Sequence, residues 1–271
     1  MAVIKKFIHN QGKLLIRPVI RTKEEFFSQT VLNYLSTKKP SVVINGNFYD
    51  LTRSGYIDVA TGNDPVAAEN TLPLGLVVQN GIKVSGTSAP QDFFIAFSDY
   101  TDISKSMLNG VKTGQGDPPL LAKWTGFGGL GPIIIDGLPY GRHNKYSAGA
   151  PKAAPLVGPP PQEAKEFLTQ RSSAKFSAFA ARDAESGSML GKTCVGVSPT
   201  ELMIFVQEDG TTGQSLESIR DEFIRHSCQH AVFFDGSDSS LLAEKNEILA
   251  KQGPNKDESC TIGVAFFWIK I

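Results

Sequence analysis

Apolar residues along the chain fall into two rhythms. Phe27, Val31 and Leu35 recur at helical spacing until Lys38, Lys39 and Pro40 stop the run. This predicts an amphipathic helix, because a period near 3.6 residues puts those positions on one face. Thr22-Lys23-Glu24-Glu25, just ahead of it, reads as a capping box. After Pro40, Ser41-Val42-Val43-Ile44 is a β-branched run that ends at Asn45-Gly46-Asn47, where turn formers take over. The reading is helix, buried strand, polar loop.

Short apolar runs at 74–78, 93–97, 132–135, 202–206, 231–234 and 262–269 predict further strands. Leu216, Ile219 and Phe223 share one helical face, so 202–234 reads strand, helix, strand, which implies a crossover unit. The expected class is α+β: a mixed β-sheet core, a few flanking helices, and loops at strand ends carrying the site. Residues 137–162 are rich in Gly, Ala and Pro and predict a long loop. Loops of that length inside a compact domain are usually functional, and Arg142, His143 and Lys145 gather in this one, so it is a lid candidate.

At 271 residues and 41% hydrophobic, the chain can bury one large core, and a single domain over 1–271 is expected. Lys and Arg number 27 and so do Asp and Glu, so no summed field draws the protein to nucleic acid or an anionic membrane surface. No apolar run is long enough to span a bilayer. Charged and polar residues interrupt the N-terminal stretch before an apolar core of signal-peptide length can form, so no signal peptide is read, and the location is left between the cytoplasm and export by another route or with a signal already removed. Cys194, Cys228 and Cys260 lack the paired spacing of a zinc site and read as buried, idle thiols in a reducing compartment. The four histidines form no HExxH pattern.

Three segments carry candidate chemistry. Ile44-Asn45-Gly46-Asn47-Phe48-Tyr49-Asp50 delivers two carboxamides, a Gly and two aromatics to one loop. Amides can grip sugar hydroxyls or phosphate oxygens, aromatic faces can stack on a sugar, and an Asn-Gly turn with core aromatics is the plainer reading. Gly128-Gly129-Leu130-Gly131 reads as a glycine-rich loop entering the strand Pro132-Ile133-Ile134-Ile135, which closes on an Asp136-Gly137 turn. Those glycines precede a strand rather than joining a strand to a helix, which excludes a dinucleotide or P-loop fingerprint. In the third segment, Ala231-Val232-Phe233-Phe234 ends in Asp235-Gly236-Ser237-Asp238-Ser239-Ser240. Two acids and three hydroxyls at a strand end form a ligand-site arrangement. Asp235 and Asp238 fit either an acid and base pair or ligands for a hard divalent cation such as Ca²⁺ or Mg²⁺.

In order and context these segments resemble the phosphodiester glycosidase family. The family's Asn-Gly-Gly-aromatic motif resembles Asn45 to Phe48, with Asn47 in place of the second Gly. Its Gly-Pro-strand-Asp-Gly segment resembles Gly131 to Gly137. Its Arg-Thr-Ala-Ile-Gly resembles Lys192-Thr193-Cys194-Val195-Gly196, with Lys for Arg, and its closing Asp-Gly-Gly-Gly-Ser-Ser resembles Asp235 to Ser240, with Ser237 and Asp238 in place of two glycines. The resemblance covers about 41–242 and implies a hydrolase that cuts the glycosidic bond between a sugar and a phosphate-linked group. It also implies roles. Asp235 would be nucleophile or base, Lys192 would hold phosphate, and Asn45 and Asn47 would orient sugar and phosphate oxygens. Gly46, Phe48, Thr193, Gly236, Asp238, Ser239 and Ser240 would line the substrate; outside the resemblance, Arg142 or Arg182 is a candidate to compensate for Lys in place of Arg, with solvated surface charge the plainer reading of each. The alternatives are a non-catalytic binder of a phosphorylated glycan or nucleotide-sugar, and an effector or phage glycosidase acting on an ADP-ribose-like, nucleotide-linked bond.

Overall fold

A computed structural model describes residues 2–21, 25–50, 72–99, 106–140, 175–253, 260 and 262–271. Three α-helices are α1 (Phe27–Lys38), α2 (Lys175–Glu185) and α3 (Leu216–Arg225). The first strands are β1 (Ala2–Ile8), β2 (Gly12–Ile20), β3 (Val42–Asn45), β4 (Tyr49–Asp50), β5 (Leu72–Pro73), β6 (Val77–Gln79) and β7 (Ile82–Ser85). Then come β8 (Phe93–Ser98), β9 (Val111–Gln115), β10 (Trp124–Ile135), β11 (Leu138–Pro139), β12 (Lys192–Val197) and β13 (Glu201–Gln207). The last are β14 (His230–Phe233), β15 (Leu242–Glu244), β16 (Glu247–Ala250) and β17 (Ile262–Lys270).

The class is α+β. Among the described residues, ten strands form one sheet along the path β1-β13-β12-β14-β10-β6-β7, with β8 and β11 paired to β10 and β9 paired to β8. Five form a second, β16-β15-β3-β17-β2. Successive strand residues point to opposite faces, so alternation assigns each to a layer. Ile44, Val195, Ile204, Val232 and Val264 meet in a core between the two sheets. Phe233, Phe205 and Cys194 turn outward under Phe179 of α2 and Phe223 of α3. Val43 and Ala265 turn outward under Phe27, Val31 and Leu35 of α1. The result is four layers, helix, sheet, sheet, helix, with a central core made by alternate residues of both sheets.

The predicted crossover is present. β13 and β14 each pair antiparallel with β12 and so run parallel to one another, and α3 carries the chain between them. Ser215 caps α3 by accepting the Ser218 amide at 3.1 Å. Helix α1 also forms, though no side chain caps its first turn. Glu25 instead accepts from Thr30 and Asn33 one and two turns on, and Thr22 to Glu24 lie outside the described residues.

The glycine-rich stretch 128–131 departs from expectation, because it is not a loop but the middle of the twelve-residue strand β10. Two glycines are demanded by their neighbours. A Cβ on Gly131 would run into the Phe233 ring on β14, and Gly129, at φ +68°, makes the irregularity where the β8 register shifts. The Asp136-Gly137 turn forms as expected, with β11 returning against β10. The predicted loop beyond residue 140, with Arg142, His143 and Lys145, lies outside the described residues. Strand β1 was hidden from pattern reading by Lys5 and Lys6, which suit its place at the sheet edge. All three cysteines are buried free thiols, and burial pushes Cys228 up to about 12. Among the described residues no helix is long and apolar enough to cross a membrane.

Candidate functional site

The segments singled out from sequence meet where β3 and β14 end and β12 and β17 begin. Asn45 joins them. Its side chain is fully buried, donates from Nδ2 to the Asp235 carbonyl at 2.8 Å, and accepts at Oδ1 from Thr193 Oγ1 at 2.6 Å and the Leu241 amide at 2.9 Å. One carboxamide therefore bonds the end of one sheet to two segments of the other. Gly46 continues the junction. Its amide donates to the Ile262 carbonyl at 2.8 Å and its carbonyl accepts the Asp235 amide at 3.1 Å. A Cβ there would lie 2.7 Å from that Ile262 oxygen, which explains Gly by close approach of β17.

Asn47 is buried and donates from Nδ2 to the Gly128 carbonyl at 2.6 Å, tying the first segment to β10. Phe48 is fully buried and meets Phe233 edge-on, ring centroids 6.1 Å apart. Its faces belong to the core under α2 and are not offered to a sugar, a correction to the stacking expectation that follows from burial of the ring. Tyr49 is also buried, its hydroxyl 3.2 Å from Ser239 Oγ. Burial, then the neighbouring Cys260 thiol and Asp235 carboxylate, push this phenol well above its ordinary range, so it stays protonated at neutral pH.

Asp235 sits just past β14, 6% exposed, with Oδ1 accepting the Gly236 amide at 3.0 Å. Gly236 allows Phe179 of α2 and the Gly191 carbonyl to approach within 2.8 Å of where a Cβ would be. A 3₁₀ turn over Ser237–Ser239 leads to Ser240. Ser239 and Ser240 are buried, and Asp238 is half-buried.

Lys192 is placed differently from the role implied for it. Its ammonium is 1% exposed, lies 2.7 Å from Asp183 Oδ1, and donates to the carbonyls of Leu190 at 2.7 Å and Ser188 at 3.3 Å. With one carboxylate and two carbonyls about it inside the protein, the buried ammonium is not presented to a phosphate in this conformation. Burial lowers the Lys192 pKa and raises that of Asp183, in each case outweighing the pull of the partner. Arg182, next to Asp183 on α2, is half-buried, and Arg142 lies outside the described residues.

Sequence reasoning missed Asp183, Gln252 and Cys260. Gln252 donates to the Ser239 carbonyl at 3.0 Å and to Cys260 Sγ at 2.8 Å, bracing the turn behind Tyr49. No motif or periodicity marks these residues, since their contacts cross between elements: Asp183 lies on α2 and Lys192 on β12, and Gln252 follows β16. Among the described residues no group of three or more His, Cys, Asp or Glu could hold a metal ion.

No protein-family profile and no curated protein matches this chain. Some solved structures are similar to it. A protein from Burkholderia pseudomallei described as exported is 9% identical, with a TM-score of 0.54 over 98% of this chain and 73% of its own. The zebrafish N-acetylglucosamine-1-phosphodiester alpha-N-acetylglucosaminidase catalytic domain, auto-inhibited by its pro-peptide, is 13% identical. Its TM-score is 0.49 over 98% of this chain and 83% of that one. A hypothetical protein from Synechocystis is 11% identical, with a TM-score of 0.46 over 98% and 59%. At 9% identity the likeness to the Burkholderia protein is one of fold alone.

Proposed function

We propose that this protein is a hydrolase that cuts the glycosidic bond between a sugar and a phosphate-linked group, with Asp235 as nucleophile or base. The observation that carries the reading is the convergence of the strand-end segments on one carboxylate. Asn45 and Gly46 hold the Asp235 backbone, while Tyr49, bonded to Ser239, lies near enough to feel the Asp235 charge. Their order along the chain, which resembles the phosphodiester glycosidases, is the second support.

The chemistry asks little of an acid. A phosphate monoester leaving group has a second pKa of about 6, so it departs from the anomeric carbon without a proton being delivered to it. What the protein must supply is a carboxylate facing an oxocarbenium-like centre, and groups that orient the sugar. Asp235 supplies the first, and Asn47, Ser239 and Ser240 the second. Asn45 acts through Asp235 as a positioning residue. The competing reading, a binder of phosphorylated glycans that does not turn them over, uses the same strand-end groups, and Lys192, paired with Asp183, grips phosphate in neither.

The test is release of free sugar or phosphate monoester from glycosyl phosphodiesters and nucleotide-sugars by the native protein and by Asp235→Ala. Release by the native protein, lost in a folded variant, supports the hydrolase. Binding without release, with and without added divalent metal, replaces it by the binder.

A further inference from the structure

Asn47 differs from Asn45 in one respect. Both are buried carboxamides in the same strand-end loop, but the Asn45 oxygen accepts two hydrogen bonds, whereas the Asn47 oxygen, itself buried, has no partner among the described residues. The orientation of the Asn47 amide is not arbitrary. Nδ2 lies 2.6 Å from the Gly128 carbonyl, which can only accept, so the nitrogen must face Gly128 and the oxygen must face away. A buried acceptor left unpaired is costly and calls for a donor. Asn47 directly follows Gly46, whose carbonyl accepts the Asp235 amide at 3.1 Å, so it belongs to the loop lying against the carboxylate.

We infer that Asn47 is a specificity-determining residue, whose Oδ1 accepts a hydrogen bond from a ring hydroxyl of the glycosyl group. The inference rests on the glycosyl phosphodiester reading and adds to it a requirement on the substrate: the sugar carries a hydroxyl at one particular position. Polar sites of this kind reject an analogue lacking the donor, because the acceptor then stays unpaired. The contact is made to bound substrate and transition state alike, so its loss raises KM and leaves kcat nearly unchanged.

The experiment takes UDP-glucose, UDP-galactose, UDP-N-acetylglucosamine and GDP-mannose and finds the one the native protein handles best. That probe is then compared with its monodeoxy forms, for the native protein and Asn47→Ala. Sugar release gives kcat and KM, calorimetry gives affinity, and thermal unfolding checks the variant's fold. The expected result is one deoxy form about ten-fold worse for the native protein, through KM or affinity, and less than about two-fold worse for Asn47→Ala. Equal handling of all deoxy forms by the native protein overturns the inference, whether or not the variant folds. So does a ten-fold preference that survives in Asn47→Ala, which assigns the Asn47 oxygen to internal packing or water. Binding with discrimination but no release keeps the selector and removes the hydrolase, while release without discrimination does the reverse. Neither binding nor release of any probe overturns both.

Discussion

Asn45 and Thr193, 148 positions apart and in different sheets, share a fully buried 2.6 Å hydrogen bond from the Thr193 hydroxyl to the Asn45 carboxamide oxygen. The same Asn45 side chain also holds the Asp235 carbonyl and the Leu241 amide, so replacing it would leave three buried groups unpaired at once.

Asn45→Ala should therefore destabilise the fold by about 3 kcal/mol or more, whereas Thr193→Val, which removes one of two donors to Oδ1, should cost about 1 kcal/mol. Chemical denaturation of the two single variants and the double variant checks this. The expected coupling is non-zero, and strict additivity would mean the contact contributes nothing.

The Lys192 and Asp183 pair predicts a different pattern. Removing either partner leaves the other charge buried, and Lys192→Met or Asp183→Leu alone should cost about 3–5 kcal/mol. The double variant Asp183→Leu/Lys192→Met should recover most of that loss, because burial already opposes both charges. Assayed for sugar release, the folded double variant also separates a structural Lys192 from a catalytic one: retained release assigns it to the scaffold.

Gly131 faces Phe233 so closely that any side chain must displace the ring. That ring also meets Phe48 and Phe179, so it has nowhere to yield. Gly131→Ala should lower stability by about 1–3 kcal/mol, and adding Phe233→Leu should cost less than the two changes summed. Thermal melts of the three variants decide it, and a neutral Gly131→Ala would show that the ring can move.

His230 sets a pH dependence. It is buried, its Nδ1 is 2.7 Å from Thr113 Oγ1, and burial lowers its pKa, opposed by the nearby Asp136 carboxylate. Because the folded value lies below the unfolded one, the folded state favours the neutral ring. Its contribution is thus full above the unfolded value, near 6.5, and is lost as pH falls from there through the folded value. Urea unfolding at pH 7 and pH 5 should show a smaller pH-linked loss for His230→Gln than for the native protein, and equal slopes would refute the assignment.

Much of this architecture is legible in the pattern of residues. The face carrying Phe27, Val31 and Leu35, the crossover through Leu216, Ile219 and Phe223, and the apolar strands ending at Asn45 and Asp235 all follow from local periodicity, and all are present. Motif order also indicated which strand ends belong together, and Asn45, Thr193 and Asp235 do meet. Strand β10 was read too short because glycines look like loop residues until the ring they accommodate is known. Phe48 looked available to a ligand because an aromatic in a polar loop carries no mark of which way it turns.

The amino-acid sequence by itself determined which segments are helix and strand, which face of each is apolar, and which polar residues stand at strand ends. These depend on side-chain period and local turn chemistry. Only the tertiary structure decided that Lys192 is engaged by Asp183, that Phe48 packs on Phe233, and that the Asn47 oxygen is left to find a donor. Each of those outcomes depends on which groups from different elements come within hydrogen-bonding or van der Waals distance. Such distances are set by how sheets and helices pack, and are written in no local pattern.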